Sequence, residues 1–180
     1  RVVLATAQML AQHGLNATSI RTIAQRAQSP LGSTYHHFPE GKQQVVTEAV
    51  TWAGAQVSEH LAQQLQAGAG AGLRDFLALW RETLLRADFH AGCPVLAVAV
   101  QEPLDEAGTQ ALDAAAQVFT QWQAQLAGAL QAQGVAPEQA AGLATLIVAA
   151  TEGAIALCRA ERSIAAFDRT AAQLRQLLPS

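Results

Sequence analysis

Apolar residues in this chain recur at spacings of three and four, and nowhere do they alternate with polar ones over a sustained run. That pattern is the mark of amphipathic helices and leaves no segment that reads as a half-buried strand. Residue usage agrees: alanine, leucine and glutamine dominate, while the β-branched valine and isoleucine are sparse. With 180 residues, 51% of them hydrophobic, there is material for one good core or for a small domain attached to a larger one. The expected class is all-α.

Breakers divide the pattern into nine helices. The first spans about 1–13, with Val3, Ala7, Leu10 and Ala11 on one face and Gly14 as its stop. Arg1 already lies inside that pattern, so a short segment is expected to precede it. Ile20, Ile23, Ala24 and Ala27 then make 19–27 a short amphipathic helix capped by Thr18 or Ser19. Pro30 suits the first turn of a third short helix, which Pro39 and Gly41 end after Phe38. A long helix follows over about 42–66. "GAGAG" at 68–72 is expected as a loop before a helix over 73–89. "CPVLAVAVQ" reads as a short helix that must be buried, and longer helices follow over 105–133, 137–160 and 164–178.

Three short helices in forty residues, the last two joined by a three-residue turn, describe a helix-turn-helix unit. In "SPLGSTYHHFPEGK" (29–42), Thr34 and Phe38 can face the short helices behind. The other side offers Ser33, Tyr35, His36 and His37, one apolar knob at Leu31, and Lys42 just beyond. Hydroxyl, phenol, imidazole and ammonium groups all donate to phosphate oxygens, and a thymine methyl accepts an apolar contact. Thr18 and Ser19, at the start of the second helix, are expected as further phosphate clamps. Charge points the same way. Residues 1–50 hold four bases and two acids, net +2, while the remaining 130 hold seven bases and twelve acids, net −5.

Other chemistries find little support. No GxSxG, HExxH or P-loop is present, so neither an enzyme nor catalytic residues are expected. His36 and His37 are adjacent and share no helical face, so no metal and no cofactor is expected. Cys93 and Cys158 match no ligand spacing and read as buried, reduced thiols. No signal peptide is visible, and a cytoplasmic location is expected. Residues 140–158 are long and apolar enough to raise a membrane span, but Glu152, Thr145 and Thr151 interrupt or dilute them. Gly142, Ala149, Gly153 and Ala156 would instead let a partner subunit's helix approach closely.

"TSIRTIAQRA" followed by "GSTYHHFPEGK" resembles the DNA-binding segment of the TetR/AcrR family of bacterial transcriptional repressors. "FPEGK" and "AGCPVLAVAVQE" resemble its LmrA/YxaF-type subgroup. The resemblance implies a nine-helix homodimer, with residues 1–46 binding a palindromic double-stranded DNA operator and 47–180 forming a ligand-binding and dimerisation domain. It implies that Ser33, Tyr35 and His37, in a helix begun by Pro30 and Leu31, contact phosphate or bases, and that Thr18 and Lys42 hold phosphates. The last two helices would form the dimer. The helices that enclose the family's ligand cavity here carry Trp80, Phe89, Phe119 and Trp122, with Leu84, Val98, Leu126 and Ile147 as companions. A small, flat, aromatic or drug-like effector is implied.

The chain departs from the family pattern at Gln28, often glycine; at Ser29 and Thr34, usually apolar; and at Leu31, often polar or basic. Leu31 can meet a thymine methyl but cannot hydrogen-bond a guanine edge. The alternative function is a helical ligand-binding or interaction protein whose head has lost specific DNA binding.

Overall fold

The computed structural model describes residues 1–177, and all regular structure among them is helical. The elements are α1 (Val2–His13), α2 (Ile20–Arg26), α3 (Leu31–His37), α4 (Lys42–Leu65), α5 (Ala69–Arg86), α6 (Pro94–Ala99), α7 (Glu106–Ala132), α8 (Pro137–Glu161) and α9 (Ala165–Gln176). Among the described residues, nine helices in the expected order follow from the periodicity and its breakers. Leu178, expected as the last helical residue, lies outside the described residues.

The helices sort into two compact units. The first comprises Arg1–Ala55 and Cys93–Val118; the second comprises Gln56–Gly92 and the chain from Phe119 onward. The units do not follow chain order, because α6 and the start of α7 belong with the N-terminal helices.

In the first unit α1 packs on α6 and α2, and α2 packs on α3. Leu10, Leu15, Ile23, Val45, Val46 and Val50 are buried there. α1 ends at Gly14, whose φ of 77° is comfortable only for glycine and whose N–H donates to the Leu10 carbonyl. Ser19 caps α2 through a reciprocal pair: its hydroxyl accepts from the Thr22 N–H, and its own N–H donates to the Thr22 hydroxyl. At the other end Gln28 takes the left-handed conformation, φ 51°. The Ser29 N–H then reaches the Ala24 carbonyl and the Gln28 N–H the Gln25 carbonyl, a Schellman closure. The left-handed turn therefore persists without glycine, at a cost of about 1 kcal/mol.

In the second unit α8 packs on α9, and both contact α5. Two expectations are corrected here and in α6. "GAGAG" is not a loop, since α5 already begins at Ala69. Ala69 is buried against Leu130 and Ala140, and a Cβ at Gly72 would collide with Leu65. Close approach of two helices overrides the poor helix propensity of glycine. "CPVLAVAVQ" is only partly buried: Val95 and Val98 are covered, but Val100 is exposed and lies past the helix end.

α8 is long and apolar enough to cross a membrane by length and composition alone. Packing within its own unit accounts for much of that apolarity. Ala140, Ala144, Ile147, Val148, Thr151, Glu152, Ala154, Ile155 and Cys158 are all buried. Cys93 and Cys158 are buried thiols in different units. Burial, above all, pushes the Cys158 thiol above its ordinary pKa.

Candidate nucleic-acid interface

α3 has one face committed to the interior and the rest free. Thr34 is 1% exposed, and Phe38, which caps the helix, is half-buried. Leu31 (37%) and Tyr35 (48%) are exposed, as are Pro30, Gly32, Ser33, His36 and His37. The outward side thus presents the hydroxyl, phenol, imidazoles and apolar knob read from the sequence. The imidazoles of His36 and His37 meet edge to face, 5.4 Å between centroids.

Gly41 explains the glycine of "FPEGK". It is buried at φ 66°, and a Cβ there would lie 3.6 Å from the Tyr35 ring. Gly41 therefore lets the chain turn beneath the phenol and enter α4, where half-buried Lys42 is the first residue.

Two flanking residues differ from expectation. Thr18 is 3% exposed, and its hydroxyl donates to the Gly14 carbonyl at 2.8 Å. Its side chain ties the α1–α2 turn and is not free to clamp a phosphate, which corrects that assignment. Ser19 is exposed, but its hydroxyl is engaged in the α2 cap. Meanwhile Arg21 and Arg26, counted from the sequence only as charge, are exposed on α2. Their signal was available: Ile20, Ile23, Ala24 and Ala27 take the inner face of that helix and leave both arginines outside.

The expected ligand-lining residues separate into groups. Trp80, Phe119 and Trp122 come together in the second unit, joined by Phe76, which was not among them. Edge-to-face pairs link Phe76–Trp80 at 6.4 Å, Phe76–Trp122 and Trp80–Trp122 at 6.1 Å, and Phe119–Trp122 at 5.6 Å. Phe119 is half-buried and the other three are buried. Leu84, Leu126 and Ile147 are buried in the same unit, whereas Val98 belongs to the first. Phe89 is half-buried in a left-handed turn, φ 58°, where Arg162 donates to its carbonyl at 2.9 Å. Among the described buried groups, the Trp80 indole N–H and the Thr151 hydroxyl have no hydrogen-bond partner.

α8 also carries an uncovered side. Gly142, Ala149, Gly153 and Ala156 are exposed along it, with Leu146 and Leu157 beside them. A Cβ at Gly142 or Gly153 would meet nothing within 4 Å. In the same unit, Arg81 of α5 grips Asp168 of α9 with two bonds of 2.8 and 3.3 Å. That hydrogen bond first, and the guanidinium charge with it, hold the Asp168 carboxyl below its ordinary pKa.

Among the described residues no group of three or more His, Cys, Asp or Glu side chains is placed to hold a metal ion.

Comparison with known proteins places these features. Residues 2–49 match the model of the bacterial regulatory proteins of the tetR family. Residues 69–173 match the C-terminal domain of LmrA/YxaF-like transcriptional regulators. An HTH-type transcriptional regulator of Mycobacterium tuberculosis is 38% identical over 183 residues, covering 99% of this chain and 92% of the relative. The HTH-type transcriptional regulator YxaF of Bacillus subtilis is 33% identical, covering 86% and 82%. The crystal structure of a TetR regulatory protein from Rhodobacter sphaeroides superposes with a TM-score of 0.86 at 19% identity, covering 99% of this chain and 97% of that one. Exposed groups on a helix-turn-helix, a separate helical unit and these likenesses together make the chain a TetR-family transcriptional regulator of the LmrA/YxaF-like type, with a DNA-binding N-terminal domain and not an enzyme.

Proposed function

We propose that the protein is a homodimeric repressor, acting in the cytoplasm, that leaves a palindromic operator when a small planar aromatic or drug-like molecule binds. The observation that carries this reading is the division of α3 into a buried Thr34 and an exposed row of Leu31, Ser33, Tyr35 and His37. A helix covering a core would not leave its phenol and imidazoles in water. Residues 1–46 act as the DNA-binding domain and 47–180 as the ligand-binding and dimerisation domain. Tyr35, Ser33, His37 and Lys42 hold phosphates, and Pro30 and Leu31 lie against base edges.

The uncovered side of α8 supports dimerisation through Gly142, Ala149, Gly153 and Ala156, since apolar Leu146 and Leu157 flank a strip where backbones can approach closely. The aromatic group of Trp80, Phe119 and Trp122 supports a flat ligand. The partnerless Trp80 N–H favours a ligand that also carries a hydrogen-bond acceptor.

Repression then rests on two states. In one, the two α3 helices stand about one turn of DNA apart, ~34 Å, and enter successive major grooves. α4 and α7 each contribute residues to both units, so a ligand that shifts either helix changes this spacing. The ligand must bind the released state better, or it shifts nothing. Switching from 1:99 to 99:1 requires about 5.5 kcal/mol of differential binding. Light scattering of the complex with the DNA upstream of its own gene tests the assembly, with two protomers per half-site pair expected. One protomer on the duplex would contradict it.

A further inference from the structure

α6 lies in the stretch matched by the C-terminal family model, yet it belongs to the compact unit of the DNA-binding helices. Its main neighbour is α1. Just past its end the chain turns back, with the Gln101 N–H bonded to the Val98 carbonyl at 3.2 Å. From there the Gln101 side chain reaches across to the α1–α2 turn. Its Oε1 accepts the Asn16 N–H at 3.0 Å, and its amide occupies the space that a Cβ at Gly14 would need. The turn so gripped is short and already specified by other bonds. The Thr18 hydroxyl donates to the Gly14 carbonyl, the Thr18 N–H donates to the Leu15 carbonyl, and the next residue, Ser19, is the α2 cap. α2 in turn packs on α3.

We propose that Gln101 is a positioning residue for DNA binding, which fixes the α1–α2 turn and through it the aim of α2 and α3. Three features distinguish it from a surface glutamine that happens to touch a neighbour. It satisfies a backbone donor that the turn leaves without a local partner. It uses a glycine at positive φ as its seat, so both ends of the contact are specified in sequence. It also follows a helix that is remote in the chain, 85 residues beyond Asn16, inside the stretch matched by the C-terminal family model. The inference rests on the DNA-binding reading above.

The test compares three full-length proteins: wild type, Gln101→Met, which keeps the volume and loses the acceptor, and Gln101→Glu, which keeps an acceptor oxygen. The probe is the DNA duplex upstream of the protein's own gene, with a scrambled duplex as reference. A single net hydrogen bond sets the expected scale, so Gln101→Met should weaken binding to the upstream duplex about three- to tenfold. Gln101→Glu should recover most of that loss, and the thermal midpoint of Gln101→Met should fall by no more than about 2–4 °C, the cost of one net hydrogen bond in a chain of this size. Hydrogen exchange gives an independent readout, with the Asn16 amide protected in wild type and Gln101→Glu and fast in Gln101→Met. Equal binding by wild type and Gln101→Met would overturn the inference, and so would an unprotected Asn16 amide in wild type. Losses of binding and thermal midpoint in parallel, unrepaired by Gln101→Glu, would also overturn it, because they would mark a merely structural role. If wild type itself fails to distinguish its upstream duplex from the scrambled one, the DNA-binding reading fails first and the two failures are told apart.

Discussion

The buried hydroxyl of Thr34 shares its one proton between the Pro30 carbonyl at 3.1 Å and the Ser29 hydroxyl at 3.3 Å. Taken singly, each residue is a polar intruder in a slot that the family usually fills with an apolar side chain. Together they are a matched pair that closes the start of α3 onto the turn before it. Thr34→Val should destabilise the head by about 1 kcal/mol, the net value of a lost hydrogen bond. The double change Ser29→Ala with Thr34→Val should cost less than the sum of the single changes, with a coupling of about 0.5 kcal/mol or more. Urea unfolding of the four proteins measures this, and strict additivity would show the pair to be independent.

Lys42 and Leu31 should fail in different ways. In the proposed role Lys42 is a phosphate-holding cation, so Lys42→Ala should weaken binding to every duplex alike and lower the salt slope by about one unit. In the proposed role Leu31 is an apolar base contact, and Leu31→Ala removes no charge. It should narrow the gap between upstream and scrambled duplexes, leaving the salt slope unchanged. Fluorescence anisotropy at several salt concentrations separates the two effects.

A bulky residue on the open side of α8 should be harmless to the protomer and harmful to the dimer. Gly153 has nothing within 4 Å of where a Cβ would stand. Gly153→Leu should therefore keep the helical circular dichroism of wild type while sedimentation shows a shift from dimer towards monomer. An unchanged dimer would place the interface elsewhere.

Acid should loosen the tie between α5 and α9. Asp168 has its folded pKa lowered by Arg81, so its contribution is present above the ordinary aspartate value of about 3.9 and is lost as pH falls through the folded value. Both side chains are well exposed, so solvent screening keeps the effect small. Asp168→Asn should be slightly less stable than wild type at neutral pH, and the difference should vanish in acid. Urea midpoints across that range test the sign.

Legibility from sequence followed the physics of each feature. Helix number and order were readable because stops such as Gly14, Pro39 and Gly134 interrupt a strong 3.6-residue period. "GAGAG" misled because a propensity cannot report that Gly72 sits against Leu65. The exposed face of α3 was readable from the spacing of Thr34 and Phe38. A hydroxyl before a helix, such as that of Thr18, can cap it, bind phosphate or bond back to its own turn, and only the fold distinguishes these. Gln101 could not be found at all: its partner is 85 residues away, and one glutamine after an apolar run has no pattern of its own.

The central claim is that α3 reads DNA. Its most direct measurement is the affinity of the wild-type protein for the duplex upstream of its own gene and for a scrambled duplex, each at two salt concentrations. The account predicts that the upstream duplex is bound at least about 100-fold more tightly and that both affinities fall as salt rises. Equal, weak binding to the two duplexes at both salt concentrations would contradict it.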